Sequence, residues 1–313
     1  MSDKNTSDQG DDGGDYVQRC GFVALLGAPN AGKSTLTNAL VGSKVSIVTP
    51  KVQTTRARIT AIAIHGQSQV VFVDTPGIFA QTTKRLEKAM VAAAWGGADD
   101  ADLRVLLVDV ERGMCRNTRA IIDGLKKANM KAILVLNKID LVRRDSLLAM
   151  SESLNEEGIF TETFMLSAMK GDGVQDLLAA LAPQLPTGPW HYPEDQLADI
   201  PERLLAAEIT REKIFLRLHQ ELPYAITVET ESWKPSKGDS LRIEQVIYVR
   251  RDTQKAIVLG KGGQQIKQIG AEARAEMMEL FGCTVHLFLF VKVRDNWQDD
   301  PERYREMGLD FHR

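Results

Sequence analysis

The sequence lacks the features that mark secreted and membrane-spanning chains. Its three cysteines, Cys20, Cys115 and Cys283, are odd in number and far apart, which argues against a disulfide framework and against a zinc cluster. No apolar run reaches the length of about eighteen residues that a transmembrane helix needs. Residues 1–15 hold five aspartates against one lysine, which is unlike a signal or transit peptide. These absences predict a reduced, cytoplasmic protein.

The formal net charge of −3 conceals an uneven distribution of charge along the chain. Acidic residues outnumber basic ones in residues 1–15, 191–201 and 295–313. Lysine and arginine are in small excess in residues 16–190 and 202–294. Because the two long segments are mildly basic, the net charge does not exclude a polyanion as a partner.

Composition and periodicity divide the chain into five parts. Residues 1–17 are predicted to form a disordered acidic tail. In residues 18–186, continuous apolar runs alternate with helix-length segments, which is typical of a mainly parallel sheet with helices on both faces. Closely spaced prolines favour a stiff linker over residues 187–201. Residues 202–294 predict a smaller α+β domain, and residues 295–313 form an acidic C-terminal extension.

Six apolar runs are the predicted strands of the first domain: Phe22–Leu26, Arg58–His65, Val70–Val73, Leu103–Val110, Ala132–Leu136 and Thr163–Leu166. The second domain is predicted to contain helices over Glu202–Leu218 and Gln264–Phe281, and strands over Tyr224–Trp233, Leu241–Arg250, Ala256–Leu259 and Val285–Val293.

The first candidate site is a phosphate-binding loop between a predicted strand and a predicted helix. Two glycines separated by four residues and followed by Lys33 and Ser34 let backbone N–H groups wrap phosphates at a helix N-terminus. Lys33 is predicted to reach the β- and γ-phosphates, and Ser34 to ligate Mg²⁺. The predicted nucleotide contacts are Gly27, Ala28, Pro29, Asn30, Ala31, Gly32, Lys33, Ser34 and Thr35.

A second motif, Asp74, Thr75, Pro76 and Gly77, comes directly after the predicted strand Val70–Val73. This position places a carboxylate at the carboxyl edge of the sheet, where doubly wound folds hold ligands. Asp74 is predicted to hold Mg²⁺ through water, and the Gly77 N–H to sense a γ-phosphate.

A third and a fourth motif predict recognition of guanine. Asn137, Lys138 and Asp140 come after one predicted strand, and Ser167, Ala168 and Met169 after the next. The Asp140 carboxylate can accept hydrogen bonds from the guanine N1–H and 2-amino groups, whereas adenine would leave it unpaired. The Lys138 stem can lie across the base, and the fourth motif can offer a backbone N–H to the guanine carbonyl.

These four motifs, in this order, resemble the Ras-like GTPases. The segment Pro50–Arg58 then looks like a switch I segment, in which a threonine closes over Mg²⁺; the sequence leaves open whether this is Thr54 or Thr55. With Lys33 and Gly77, these threonines are the predicted catalytic residues. Ile78 stands where Ras-like enzymes carry a water-orienting glutamine. Asn30 matches an asparagine that binds K⁺ in a related group, so slow hydrolysis assisted by K⁺ or by a partner is expected.

The second candidate site is a glycine-rich turn with the Gly-x-x-Gly spacing of the KH module, whose loop clamps a nucleotide backbone. A tight turn or a solvated charged face would account for the same residues. The predicted RNA contacts are Gly260, Lys261, Gly262, Gly263, Gln264, Lys267, Arg250 and Arg251.

The two sites together resemble the Era family, bacterial GTPases that end in a type II KH domain. The resemblance implies GTP hydrolysis with Mg²⁺, binding of the 3′ end of 16S rRNA, and assistance in maturing and assembling the small (30S) ribosomal subunit. It also implies a cytoplasmic monomer with a peripheral pool at the inner face of the membrane. A membrane-associated signalling GTPase, whose C-terminal domain binds protein or lipid, is the alternative.

Overall fold

Two sheets organise the part of the chain that the computed structural model describes, which comprises residues 17–51, 54–56, 59–82, 84–218, 222–295 and 297–311. The predicted tail, apart from Val17, therefore lies outside the described residues. Gln53 of the predicted switch I segment and Arg58, the first residue of a predicted strand, also lie outside them. No helix within these ranges is both long and apolar enough to cross a membrane.

The first sheet has seven strands in the order β6-β5-β4-β1-β3-β2-β7. The strands are β1 (Arg19–Gly27), β2 (Ile59–His65), β3 (Ser68–Asp74), β4 (Leu103–Asp109), β5 (Ala132–Asn137), β6 (Phe160–Leu166) and β7 (Ala198–Asp199). All pairs are parallel except β2 with β3 and β2 with β7. This arrangement brings the carboxyl ends of β1, β3, β4, β5 and β6 to one edge.

Helices cover both faces of this sheet: α1 (Lys33–Val41), α2 (Arg85–Asp100), α3 (Arg116–Lys127), α4 (Arg144–Asn155) and α5 (Val174–Leu181). Side chains of a strand alternate between faces. Val23 and Leu25 of β1 therefore pack with α1 and α5, while Ala24 and Leu26 pack with α2, α3 and α4. Burial on both faces explains why the strands are continuous apolar runs.

The second sheet has three strands in the order β10-β9-β8, with β9 parallel to β10 and antiparallel to β8. Its elements, in chain order, are α6 (Glu202–Arg217), β8 (Thr227–Ser236), β9 (Ser240–Val249), α7 (Asp252–Leu259), α8 (Gln264–Phe281) and β10 (Thr284–Val293). Helices α6 and α8 pack on one face of the sheet.

The predicted strand Ala256–Leu259 is wrong, because these residues form the last turn of α7. Within this run only Val258 is fully buried, and Ile257 is exposed. A single buried position in four suits one face of a short helix, whereas periodicity alone cannot separate a helix from a strand over so few residues.

The proline-rich segment runs along the first sheet instead of standing away from it. The side chain of Gln69, buried in β3, accepts hydrogen bonds from the His191 and Tyr192 N–H groups at 3.0 Å and donates to the Tyr192 carbonyl at 2.8 Å. Farther along, Ala198 and Asp199 of β7 pair with β2. The linker backbone is thus fixed by hydrogen bonds to the Gln69 side chain and by pairing with β2. Its boundaries at 187 and 201 stay a prediction.

The C-terminal extension lies between the two parts of the molecule. It forms a 3₁₀ turn over Trp297–Asp299 and helix α9 (Pro301–Glu306). Trp297 and Tyr304 are 1% and 2% exposed and share an apolar cluster with Met90 of α2 and Tyr248 of β9. Its acidic composition gave no sign of this core.

Candidate functional site

The motifs predicted to bind a nucleotide meet at a cleft of about 430 Å³ at the carboxyl edge of the first sheet. The predicted residues that line it are Pro29, Asn30, Gly32, Lys33, Ser34, Thr35, Thr54, Thr55, Gly77, Lys138 and Met169. Pro50, which begins the predicted switch I segment, also lines the cleft. The sequence did not point to four others, Ile47, Val48, Thr49 and Arg112, which belong to no recognisable motif. The volume lies within the usual range for small-molecule sites.

The phosphate-binding loop is shaped by backbone that only certain residues tolerate. Gly32 has φ +96°, and a Cβ there would collide with the Asn137 side-chain amide. Lys33 is buried and donates from Nζ to the Gly27 and Ala28 carbonyl oxygens at 3.2 and 3.3 Å. Burial lowers the pKa of Lys33 to about 8, although nearby Asp74 opposes the shift. A cation held in this way attracts an anion such as phosphate.

A cluster of oxygens lies beside the loop. Ser34 Oγ is 2.7 Å from Thr55 Oγ1 and donates to Asp74 Oδ2 at 2.9 Å, and Ser46 Oγ donates to the same carboxylate oxygen at 2.9 Å. Asp74 Oδ1 is buried and has no hydrogen-bond partner among the residues that the structure describes. Burial raises the pKa of Asp74 despite the neighbouring Lys33.

These oxygens fit a hard divalent cation. Hydroxyl and carboxylate oxygens are the ligands that Mg²⁺ takes, together with several waters. An uncompensated carboxylate oxygen in a buried position is costly, and a cation with its water shell would satisfy it. Ser46 carried no signal in the sequence, since an isolated serine in a loop is uninformative.

The two threonines of the switch I segment point in different directions. Thr55 Oγ1 joins the oxygen cluster at Ser34. Thr54 Oγ1 instead lies 2.7 Å from Thr49 Oγ1 and donates to the Lys51 carbonyl at 2.7 Å. Thr55 is therefore the threonine placed to reach a metal at Ser34, a choice that the sequence left open.

The Asp-Thr-Pro-Gly turn lies directly against the phosphate-binding loop. A Cβ on Gly77 would lie 2.9 Å from Pro29 Cα, so the two loops approach as closely as glycine allows. The Ile78 N–H donates to the Gly27 carbonyl at 3.2 Å, and its side chain is buried in the apolar core. Ile78 thus offers no side-chain hydrogen bond to a water in the cleft.

Asp140 follows β5 close to Lys138, which lines the cleft, but Asp140 itself is not a lining residue. Its side chain is 17% exposed, and its carboxylate lies 3.8 Å from Lys170 Nζ. The side-chain hydrogen bond with Ser167 and the charges of Lys170 and Lys138 keep the pKa of Asp140 below its ordinary value. Lys138 Nζ donates to Asp109 Oδ2 at 2.6 Å, which extends its stem. Ala168 donates its N–H to the Asn137 side chain at 3.0 Å, and Met169 is 76% exposed beside the cleft.

The glycine-rich turn of the second sheet joins α7 to α8. Gly260, Gly262 and Gly263 all have positive φ, and a Cβ on Gly260 would lie 3.0 Å from the Gln265 backbone nitrogen. Lys261 and Lys267 are exposed. The turn therefore presents backbone and positive charge to solvent, as a clamp for phosphates requires.

A groove of about 390 Å³ runs between α8 and β10. Lys267 and Arg274 supply positive charge to it, and Phe288 and Phe290 of β10 are 40% and 49% exposed. Sequence analysis missed Arg274 and both phenylalanines. Their signal was the alternation of β10, which puts Phe288 and Phe290 on the same face, away from buried Val285 and Val291. Arg250 and Arg251 are exposed at the start of α7 and do not line this groove.

Two family models match the chain. The model described as 50S ribosome-binding GTPase matches residues 22–138, and the model described as KH domain matches residues 221–298. With the placement of the motifs, these matches define a GTPase that carries a C-terminal KH domain, and they confirm the predicted fold class.

Curated relatives make the assignment more specific. The chain is 61% identical over 312 residues to GTPase Era of Rhizobium meliloti (strain 1021), covering 99% of both chains. It is 59% identical over 293 residues to GTPase Era of Brucella suis biovar 1 (strain 1330), covering 94% of both chains. The chain belongs to the GTPase Era family, as its motifs predicted, and is a GTPase.

Solved structures agree with this family. The chain superimposes with a TM-score of 0.88 on Aquifex aeolicus Era Y63A bound to GDP·AlF4⁻, at 37% identity over 93% of this chain and 99% of that one. The same values hold for Era in complex with MgGDPNP and nucleotides 1506–1542 of 16S ribosomal RNA.

Proposed function

We propose that this chain is a GTP-operated RNA-binding protein that binds the 3′ end of 16S rRNA during maturation and assembly of the small (30S) ribosomal subunit. The observation that carries the proposal is the presence, in one fold, of the nucleotide cleft and the glycine-rich turn with its groove. The Era structure with both MgGDPNP and 16S rRNA nucleotides has the same fold at 37% identity, which supports it.

In this proposal the chain's own groups divide the work of hydrolysis. Backbone N–H groups of residues 27–34, of which Pro29 has none, and the Lys33 ammonium hold the β- and γ-phosphates. They stabilise the negative charge that develops on the γ-phosphate oxygens. Ser34 and Thr55 would ligate Mg²⁺ directly, and Asp74 through water. When bound, Mg²⁺ would neutralise part of the negative charge of the phosphates. The Gly77 N–H would donate a hydrogen bond to the γ-phosphate and so distinguish GTP from GDP.

Selection of guanine is assigned to Asp140. The carboxylate is ionised at neutral pH, as any aspartate of ordinary or lowered pKa is, and it accepts from the N1–H and 2-amino groups of guanine. Adenine offers neither donor, so the carboxylate would lose its hydration without gaining partners. The Lys138 stem and the exposed Met169 side chain flank the base.

Hydrolysis without a partner is proposed to be slow, because Ile78 cannot orient a water. K⁺ assistance through Asn30 is proposed as the compensation. The Asn30 side chain donates to the Pro50 carbonyl at 2.8 Å, so an amide and a switch I carbonyl adjoin beside the phosphate-binding loop. Replacing K⁺ by Na⁺ should lower turnover, and Asn30→Asp should change that dependence. Turnover that ignores both changes rules out the cation.

RNA binding is assigned to the turn at residues 260–263 and the groove between α8 and β10. The turn would grip phosphates through backbone N–H groups and Lys261, and the groove would receive bases against Phe288 and Phe290. Since positive charge is prominent, affinity should fall as salt rises.

The test is fluorescence anisotropy of a labelled single-stranded RNA with the 16S 3′-end sequence, titrated with the full chain at two salt concentrations. Lys261→Ala with Gly262→Asp should abolish binding. The matched control is Lys237→Ala with Gly238→Asp, the same dipeptide in the β8–β9 turn, where Gly238 has φ +62° against +60° for Gly262. The control should bind normally.

Equal binding by both double variants would contradict the RNA assignment. It would favour the signalling alternative, in which the C-terminal domain binds protein or lipid. The cytoplasmic location, the monomeric state and the peripheral membrane pool stay predictions of the family resemblance.

A further inference from the structure

One face of helix α6, the first helix after the linker, carries charged residues that are buried. Glu208, Arg211, Glu212 and Phe215 recur at the spacing that aligns side chains along a helix, and they are between 0% and 8% exposed. Burying ions is costly unless each is paired and hydrogen-bonded. We name these four residues the α6 face.

The α6 face holds the segment between α1 and β2, which contains the switch I threonines. Glu212 accepts from Lys44 Nζ at 2.6 Å and from the Val48 N–H at 2.9 Å. Arg211 donates from Nη2 to the Thr54 carbonyl oxygen, and Lys51 donates to the Phe215 carbonyl. Every one of these contacts joins the GTPase part of the chain to the KH part. Within α6 itself, Arg211 also pairs with Glu208.

The contact at Thr54 differs from the others because Thr54 directly precedes Thr55, whose hydroxyl reaches Ser34. The Thr54 hydroxyl forms hydrogen bonds with the Thr49 hydroxyl and the Lys51 carbonyl, which stabilise the loop around Thr54. A donor that fixes the Thr54 carbonyl therefore also fixes the peptide plane from which Thr55 projects.

Arg56, which directly follows Thr55, also binds to the C-terminal part of the chain. Arg56 is 1% exposed and donates to the Ile226 carbonyl at 2.8 Å, and its guanidinium lies 5.7 Å from the Phe215 ring centre and 5.8 Å from that of Trp297. Thr55 is thus held from both sides by residues of the C-terminal part.

We propose that Arg211 is a positioning residue for GTP hydrolysis, which acts through the Thr54 carbonyl to hold the Thr55 hydroxyl against Ser34. The inference rests on the proposed role of Thr55 at the metal. The geometry assigns to the KH part a function beyond RNA binding, because its helix α6 then supports the nucleotide site of the GTPase part.

The test compares Arg211→Gln with Arg217→Gln in the full chain. Arg217 is on the same helix but bonds to Gln268 and Glu272 of α8, within the KH part. Arg211→Gln should lower kcat for GTP about tenfold, as expected for the loss of a charged hydrogen bond. It should also raise the Mg²⁺ concentration needed for half-maximal rate and leave GDP affinity within about twofold, since Thr55 serves only the triphosphate state.

A second readout does not depend on turnover. Amide hydrogen exchange over residues 54–56 of the nucleotide-free chain, which follow the carbonyl that Arg211 holds, should be faster in Arg211→Gln and unchanged in Arg217→Gln. An unchanged kcat in Arg211→Gln, or a fall in GDP affinity as large as that in kcat, would overturn the proposal.

Two further variants keep the result decisive. Should Arg211→Gln not fold, Glu208→Gln, which leaves the guanidinium but removes its charged partner, should lower kcat about threefold with the same Mg²⁺ effect, and no change contradicts the proposal. Thr55→Ala is the reference. If kcat falls in Thr55→Ala but not in Arg211→Gln, the positioning role of Arg211 is refuted and the metal site is not. If kcat is normal in Thr55→Ala, the proposed metal site is refuted.

Discussion

The side-chain amide of Asn137 donates a hydrogen bond to the carbonyl oxygen of Ala31 at 2.8 Å, across 106 residues of sequence. Its oxygen accepts from the N–H groups of Lys138 at 2.8 Å and Ala168 at 3.0 Å. One buried side chain thereby joins the phosphate-binding loop to both motifs at the base end of the cleft. The nucleotide site is consequently one unit from phosphate to base.

Replacing Asn137 should weaken binding of GDP and GTP alike. Asn137→Ala leaves buried backbone groups of Ala31 and Ala168 without partners, at about 1–3 kcal/mol each, so affinity should fall at least tenfold. Asn155→Ala, which removes an exposed asparagine with bonds to Ser151 and Thr163, is the control and should bind normally. Titration of a fluorescent GDP reads both. Unaltered affinity in Asn137→Ala would show that the three motifs hold together without this side chain.

The adjacent threonines should differ in their effect on the metal. Thr55→Ala should raise the Mg²⁺ concentration needed for GTP hydrolysis about tenfold, because the metal loses a ligand, and should leave GDP binding nearly unchanged. Thr54→Ala should leave the Mg²⁺ requirement near that of the parent protein. GTP hydrolysis rates measured at a series of Mg²⁺ concentrations test this prediction. A larger Mg²⁺ requirement in Thr54→Ala than in Thr55→Ala would mean that the oxygen cluster at Ser34 is not the metal site.

Stability should depend on pH through Glu212. Burial alone would raise the pKa of this carboxyl, but hydrogen bonds from Lys44 and from the Val48 N–H outweigh it, and the net pKa is lowered. A lowered native pKa contributes stability that is fully present above the unfolded value of 4.5 and is lost as pH falls through the native pKa.

The free energy of unfolding of the parent protein should therefore exceed that of Glu212→Gln by about 2 kcal/mol near pH 7. The difference should shrink as pH is lowered from about 5 to about 3. Urea denaturation across this range measures it. Glu272→Gln, on the more exposed pair with Arg217, should show a smaller difference throughout. A Glu212→Gln gap that is constant with pH would contradict the assignment.

The C-terminal extension should contribute to stability through Trp297. The indole is 1% exposed and donates to the Ala225 carbonyl at 3.0 Å. Trp297→Ala should cost about 3–5 kcal/mol of unfolding free energy. Trp190→Ala, which also removes an indole bonded to a carbonyl but at a half-buried position, should cost less. Equal costs in urea denaturation would mean that the extension adds no core of its own.

Much of the GTPase part could be predicted because its central strands, β1, β3, β4 and β5, are buried on both faces. Continuous apolar runs identify such strands, and each nucleotide motif lies at the end of one, as with Asp74 at the end of β3 and Asn137 at the end of β5. The placement of these side chains at one edge is then a consequence of parallel topology.

The rest depended on contacts between residues far apart in sequence. The loop that contains Thr54 and Thr55 contacts helix α6, more than 150 residues away in sequence. The backbone path of this loop determines which of the two threonines faces Ser34. The role of Trp297 is set by a cluster shared with Met90 and Tyr248. Four apolar residues in a row, as in Ala256–Leu259, fit a strand and a helix equally well, and it is the packing of Val258 that makes this segment part of helix α7.

The assignment of the cleft to a guanine nucleotide depends on pairing between Asp140 and the base. Its most direct test is a competition in which GTP and ATP displace a fluorescent GDP from the purified chain, with Asp140→Ala alongside. GTP should compete at a concentration about a thousandfold below ATP, and Asp140→Ala should remove most of that preference by weakening GTP. Displacement by ATP and GTP at equal concentrations would contradict the assignment of this cleft to a guanine nucleotide.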